Sequence, residues 1–476
     1  MGQITTIFKN MSWILISQII ASICGFIWTI LIARYLGVQE YGILGFATSL
    51  TAILSITSDW GISTHIVRHI ATNYESSPKY LGNALPLKSI FAIGTLFLTC
   101  ILLLIMKSDE ITLTVTLLFT LEIIIKSFIN LLNGAFQAFE EGKYQGIGNT
   151  LLNSLLLIFI LIAIFTDLGI IGIAISYLIA NFITLTFEYY YLNKKITKPK
   201  FELDTTFCKK ITLYSLPFAI SSLLYSIYFS IDVVMLTHIS GNYATGVYNA
   251  AYKLITVLTV FYTAYTAVIF PVMSKFFKEN EKILTIIYEK SIKYLMLIMI
   301  PLSIATQIYA TDIVQLIYGQ EYYASAQILS ILIWTVCLLF IASPGNILLD
   351  SSHKEVTVTK IYAIVAVFNI ILNFILIPKF SFIGAAIATV LSDILIVIIQ
   401  KYIIHKIGHK PNKKLYTDLI KITIGSIVLG IALYFLNLNM WIAIPIGIMI
   451  YLTVVYLLKV FDNDDKYVIK EILGKN

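Results

Sequence analysis

The chain has 476 residues, of which 58% are hydrophobic and only 12% charged, with a mean hydropathy of +0.88 and a formal net charge of +7. A soluble domain carries about 25% charged residues, so these figures exclude a soluble fold and describe an integral membrane protein. The positive balance does not call for nucleic acid, because lysines beside anionic lipid headgroups account for it.

A bilayer span needs about 20 mostly apolar residues. By that measure the sequence predicts fourteen helices near 12–33, 41–62, 84–106, 111–135, 147–166, 168–192, 211–237, 245–272, 290–310, 324–349, 356–377, 380–404, 415–436 and 441–460. The first apolar run is too long for a signal peptide and no small-residue cleavage site follows it, so it is expected to remain as the first span. The pairs at 147–192 and 356–404 have very short connections and read as tight hairpins. The longest loops are 63–83, 193–210 and 273–289, and none has room for a folded soluble domain. Cys24, Cys100, Cys208 and Cys337 have neither metal nor redox spacing and read as packing residues.

Lysine and arginine set the orientation. With a cytoplasmic N-terminus, 28 of the 33 basic residues fall on the inner side, from Lys9, Arg68 and Lys79 to Lys466 and Lys470. Arg34, Lys107 and Lys379 fall outside, and Lys126 and Lys253 lie within spans. One miscounted helix would invert every later loop, so the asymmetry also supports the count. The expectation is a multi-pass protein of the cell membrane with both termini cytoplasmic.

Two stretches repeat. ARYLGVQEYGILGFATSL at 33–50 returns as THISGNYATGVYNAAYKL at 237–254, an offset of 204, so that Gly37 answers Gly241 and Gly42 answers Gly246. GIIGIAISYLIAN at 169–181 returns as FIGAAIATVLSD at 382–393, with Gly172 answering Gly384. Internal repeats of this kind imply two copies of one unit. Six spans per copy is an even number, so the copies share orientation, as in transporters whose substrate site lies between parallel halves. The expected architecture is all-α: two parallel six-helix lobes (1–195 and 211–405) around a central cavity. A basic linker at 196–210 joins them, and two extra helices with a cytoplasmic tail occupy 406–476.

No catalytic motif, phosphate loop or metal-ligand spacing is present, and the sequence implies no cofactor and no enzyme. What remain are polar side chains inside spans. Each costs a few kcal/mol on insertion scales, so each faces a cavity or a partner. Arg34, at the outer end of the first span, is a snorkelling arginine or a ligand group. Asp232 follows Tyr225 and Tyr228 at helical spacing, which suits sugar hydroxyls and ring faces but equally an aromatic belt with one paired acid. Lys253, with Asn249 one turn above it, lies too deep to snorkel. It either lines a cavity or pairs with Asp232. Glu122, Lys126, Asn130, Asn133 and Gln137 form one polar stripe, read as an internal ion pair with a polar end or as one wall of a wet pathway. Asp393, near the middle of the twelfth span, is a proton- or sodium-coupling candidate, as is Asp232.

ARYLGVQEYG, GVYNAAYKL followed by IFPVMSK, YGQEYYASAQILSIL and FNIILNFILIPKFSFIGAAIATVLSD together resemble the polysaccharide transporter family of oligosaccharide flippases, within the multidrug/oligosaccharidyl-lipid/polysaccharide exporter superfamily. The resemblance implies a two-lobed transporter of fourteen helices. It implies that polyprenyl-(pyro)phosphate-linked oligosaccharide is turned from the cytoplasmic to the outer leaflet by alternating access, for surface glycan synthesis. Cations, with Arg34 and Lys253 as the matching positions, would hold the phosphates. Membrane lipids and glycan polymerases or transferases are the partners it suggests. A multidrug antiporter of the same superfamily would be expected to favour buried acids over buried bases. A lipid-linked peptidoglycan precursor flippase is a narrower variant. A glycan-joining membrane enzyme would need a larger outer loop than 311–323.

Overall fold

The computed structural model describes residues 3–279, 281–436, 438–461 and 465, so Lys466, Lys470 and both chain ends lie outside the described residues. The helices are α1 (Gln3–Asp59), α2 (Ile62–Thr72), α3 (Ser77–Ile105), α4 (Glu110–Ala138), α5 (Gly142–Phe165), α6 (Gly169–Lys195), α7 (Thr205–Val257), α8 (Thr259–Glu279), α9 (Glu281–Ile308), α10 (Ala310–Tyr318), α11 (Ser325–Ser351), α12 (Glu355–Lys406), α13 (Lys413–Leu436) and α14 (Met440–Leu457). Among the described residues there is no strand, and the expectation of an all-α integral membrane protein holds. Helix is what the bilayer demands, since every backbone polar group must be satisfied inside its own segment.

Among the described residues, eleven helical runs are long and apolar enough to cross a membrane, and three of them, of 48, 73 and 52 residues, are far too long for one crossing. At 1.5 Å per residue the shortest of the three would reach roughly 70 Å, against about 30 Å of hydrocarbon. Each contains a break: α1 at Gly37 (φ 68°, ψ 175°), α7 at Gly241 (φ 84°, ψ 177°) and α12 at Ser381 (φ 51°, ψ −130°). Gly37 and Gly241 are counterparts in the repeat, and both adopt a conformation that is essentially closed to residues with a Cβ. Ser381 is likewise the counterpart, at an offset of 212, of Gly169 (φ 62°), which opens α6. The sequence repeat is therefore a repeat of backbone breaks.

The chain forms two compact units, 1–249 and 250–476. In the first, α2 lays Ile62, Ile66 and Ile70 at four-residue spacing against Leu131, Leu132 and Phe136 of α4, all fully buried. The basic segment before α7 is tied down. The Lys200 N–H donates to the Pro78 carbonyl at 3.0 Å, and the Asp204 N–H donates to Asn83 Oδ1 at 2.9 Å. Asp204 Oδ1 then accepts from the N–H groups of Thr206 and Phe207, each at 3.0 Å, capping α7.

In the second unit the last two helices, which have no repeat counterpart, are fastened to α9. Ile422, Leu429, Leu433, Ala443 and Val455 form one buried cluster with Tyr451, whose hydroxyl donates to the Leu297 carbonyl at 2.8 Å. Lys293 of α9 meets Asp418 at 2.9 Å and Asp465 at 2.6 Å, and its Nζ donates to the Val460 carbonyl at 2.7 Å.

Candidate substrate site

Within the first unit the two repeated stretches lie against each other. A Cβ on Gly42 would stand 1.9 Å from the Asn242 carbonyl oxygen, and one on Gly246 would stand 1.9 Å from that of Val38. Val38 and Asn242 are themselves counterparts at the offset of 204, so the contact is reciprocal and approximately two-fold. One turn on, a Cβ on Gly45 would lie 2.6 Å from Asn249 Nδ2, so the buried Asn249 side chain rests on bare backbone.

The predicted aromatic–acid face divides. Tyr228 and Asp232 are buried, Tyr225 is exposed, and the Asp232 carboxylate accepts from the buried Tyr248 hydroxyl at 3.1 Å. Arg34 is exposed, one turn before the Gly37 break. Its neighbour Tyr35 fastens that end of α1 to the α5–α6 turn, donating to Asp167 Oδ1 at 2.8 Å and accepting from the Gly169 N–H at 2.9 Å. Lys253 and Asp393 belong to the second unit, where both are half-buried.

The polar stripe of α4 serves two environments. Glu122 is buried and accepts from Asn181 Nδ2 of α6 at 3.0 Å, while Lys126, one turn on, is exposed and acts on it through its field. Asn130, Asn133 and Gln137 instead line a polar cavity of about 440 Å³. Its other walls include Asp59, Ser63, Thr64, Val67, Arg68 and Gln145.

Several buried charges escape sequence reasoning, and three of them stand beside basic loops. Lys88 of α3 is completely buried and donates to Asp59 and, at 3.2 Å, to Ser63 Oγ. Glu188 of α6 is completely buried against Gly148, where a Cβ would come within 2.2 Å of its Oε1. Lys293 is the third. All three stand in helices just inside a basic loop, where a charge reads as interfacial. The one usable signal is Asp59 and Lys88 flanking the same loop at similar depth.

The second unit contributes an apolar groove of about 470 Å³ walled by Leu297, Pro301, Leu302, Leu429, Leu433, Gly447, Ile448 and Tyr451. It offers hydrocarbon where the cavity of the first unit offers amides and hydroxyls.

The polysaccharide biosynthesis protein family model matches residues 7–277, and the lipid II flippase MurJ model matches residues 216–453. Capsular polysaccharide biosynthesis protein CapF of Staphylococcus aureus is 26% identical over 84% of this chain and 99% of its own. The probable low-salt glycan biosynthesis flippase Agl15 of Haloferax volcanii is 23% identical over 76% of this chain and 75% of its own. An uncharacterized membrane protein of Methanocaldococcus jannaschii is 26% identical over 88% of each chain. Among solved structures, lipid II flippase MurJ in an inward closed conformation superposes with a TM-score of 0.79 at 17% identity, covering 93% of this chain and 98% of that one. An inward-facing multidrug resistance MATE transporter of the MOP superfamily follows at a TM-score of 0.64 and 17% identity, over 81% of this chain and 95% of that one. The fold is thus of the MurJ and MATE kind, and with more than half of its length matched by the family model, the chain belongs to the polysaccharide biosynthesis protein family.

Proposed function

We propose that the protein is a flippase that moves polyprenyl-(pyro)phosphate-linked oligosaccharide from the cytoplasmic to the outer leaflet of the cell membrane by alternating access. The observation that carries this reading is the pairing of opposite environments in one oily molecule: a hydrocarbon-walled groove of about 470 Å³ and an amide- and hydroxyl-lined cavity of about 440 Å³. A glycolipid has the same two halves. Its headgroup cannot cross about 30 Å of hydrocarbon unaided, because every hydroxyl and charge would lose its water. Buried polar groups replace that water, and the lipid tail keeps to apolar surface. Similarity to a protein named as a glycan biosynthesis flippase supports the assignment.

In this proposal the chain crosses fourteen times, with α1 and α12 each counted as two spans, α7 up to its break as one, the rest of α7 together with α8 as another, and both termini cytoplasmic. Residues 1–195 and 211–405 act as like-oriented lobes. Arg34 and Lys253 neutralise phosphate. Asp232, Tyr225, Tyr228 and Asn249 meet sugar, Lys126 and Glu122 line the path, and Asp393 or Asp232 couples transport to protons or sodium. The test is export of surface glycan in cells carrying Arg34→Ala with Lys253→Ala. Loss of export, with normal insertion of the protein, is expected, and normal export removes both residues from the site. The MurJ model match over 216–453 keeps a lipid-linked peptidoglycan precursor as the second reading. The lipid intermediate that accumulates on depletion separates the two.

A further inference from the structure

The second unit carries a polar cavity of about 610 Å³ between the short helix α10 and the start of α14. Asp312, Gln315, Gln320, Asn439 and Trp441 supply its polar and aromatic walls. Among the described residues, no lysine, arginine or histidine lines it. In the proposed orientation, with both termini cytoplasmic, α9 and α13 run outward, which puts this cavity on the outer face of the membrane. A tryptophan alone at that level belongs to an aromatic belt. Trp441, an exposed ring, instead shares a cavity with three amides and a carboxylate.

The hydrogen-bonding capacity of these walls is mixed. Gln315 Nε2 donates to Gln320 Oε1 at 3.4 Å, which leaves Gln315 Oε1 to accept and Gln320 Nε2 to donate. Asn439 Oδ1 accepts from the Trp441 backbone N–H at 3.1 Å, capping α14 and leaving Asn439 Nδ2 to donate. The Asp312 carboxylate adds acceptors and the indole N–H adds a donor. A polyol answers such walls, because each hydroxyl both gives and takes a hydrogen bond. Phosphate brings acceptors alone, and its charge would meet Asp312. The segment that carries the glutamines is held in place: Tyr318 and Tyr322 are buried, with ring centroids 5.2 Å apart. The cavity also adjoins the apolar groove. Tyr309 lines the groove, and its hydroxyl donates at 3.0 Å to the carbonyl of Leu438, which lines the cavity.

We propose that this cavity is an outer-face saccharide site, taking sugar hydroxyls on Gln315, Gln320, Asn439 and Asp312 and the C–H face of a sugar ring on Trp441. The inference rests on the flippase reading and deepens it: a glycan that has reached the outer leaflet is held here, within reach of a lipid chain in the adjoining groove. Its volume falls within the ordinary range of roughly 300–1,000 Å³ for small-ligand sites. Glycan preference on the outer side then follows the side chains at 312, 315, 320 and 439.

The test uses full-length protein in lipid nanodiscs, with binding of maltotriose and N,N′-diacetylchitobiose read by NMR saturation transfer from protein to sugar. The wild type is expected to bind at least one of them, and excess inorganic pyrophosphate should not displace it. Trp441→Ala, and Gln315→Ala combined with Gln320→Ala, should each weaken binding by about tenfold, the loss of one good contact. Melting curves report folding, and Gln320→Leu, at an exposed position, replaces either variant that does not fold. Unchanged sugar affinity in the variants overturns the proposal, and so does displacement by pyrophosphate. A wild type that binds neither sugar yet moves a fluorescent polyprenyl-pyrophosphate-linked sugar across vesicles overturns it as well and leaves the flippase reading standing. Variant-sensitive sugar binding in a protein that moves no lipid-linked sugar upholds the site and counts against the flippase reading instead.

Discussion

Replacing Gly42 by alanine places a methyl group 1.9 Å from the Asn242 carbonyl oxygen, a backbone atom that cannot rotate aside. A carbon–oxygen contact needs about 3.3 Å, so α1 and α7 must part by roughly 1.4 Å at that point. Overpacking of this kind costs about 1–3 kcal/mol. Gly246→Ala strains the same pair of helices from the other side, against Val38. A gap opened by the first substitution relieves the second, so the double variant should fall short of the summed losses by at least about 0.5 kcal/mol. The assay is thermal unfolding of the four detergent-purified proteins, at roughly 2 °C per kcal/mol for a unit of about 250 residues. Each single variant should melt about 2–6 °C below wild type, and the double variant little lower than the worse single one. Single variants that melt like wild type, or a strictly additive double, would refute the reciprocal contact.

Three further outcomes follow from the buried charges and from α2. Lys88→Met strands the Asp59 carboxylate and should cost about 3–5 kcal/mol, most of it recovered when Asp59→Asn is added. A Lys88→Met protein that melts normally contradicts the pair. Burial, and then the nearby His69, push the His65 imidazole down from about 6.5 to about 4, so the unfolded chain binds its proton first as pH falls. This stability is complete above pH ~6.5 and is lost as pH drops toward ~4; His65→Phe should flatten that slope in melting curves, and an unaltered slope counts against it. Lys293→Met strips the buried Asp418 of its cation and leaves Asp465 to Lys290 alone, so α13 should loosen and trypsin should cut the C-terminal region faster. An unchanged cleavage rate removes Lys293 as the fastener.

Some of this was legible in the sequence because backbone geometry left a mark on residue choice. Gly37 and Gly241 stand where φ and ψ admit essentially only glycine, and Gly42 and Gly246 stand where a methyl group does not fit. The repeat was therefore visible in the glycines. Ser381 makes the third break with an ordinary residue, so the predicted boundary between 377 and 380 came from span length and not from a glycine. The stripe of Asn130, Asn133 and Gln137 was readable because helical spacing alone puts them on one face. Tyr225 shows where spacing ends: it shares the turn pattern of Tyr228 and Asp232 yet lies outside while they lie inside. Only a shared loop hints at the partner of Lys88, and nothing local identifies that of Lys293. Asp59 precedes Lys88 by 29 positions and Asp465 follows Lys293 by 172, separations that only the folded chain closes.

The central claim is transport of a lipid-linked sugar through a polar path inside this chain. The direct measurement is movement of a fluorescent polyprenyl-pyrophosphate-linked sugar across reconstituted vesicles, read by quenching from one side. Wild-type vesicles should expose the probe far faster than protein-free vesicles, and Arg34→Ala with Lys253→Ala should return the rate to background. Wild-type vesicles no faster than empty ones would contradict the account.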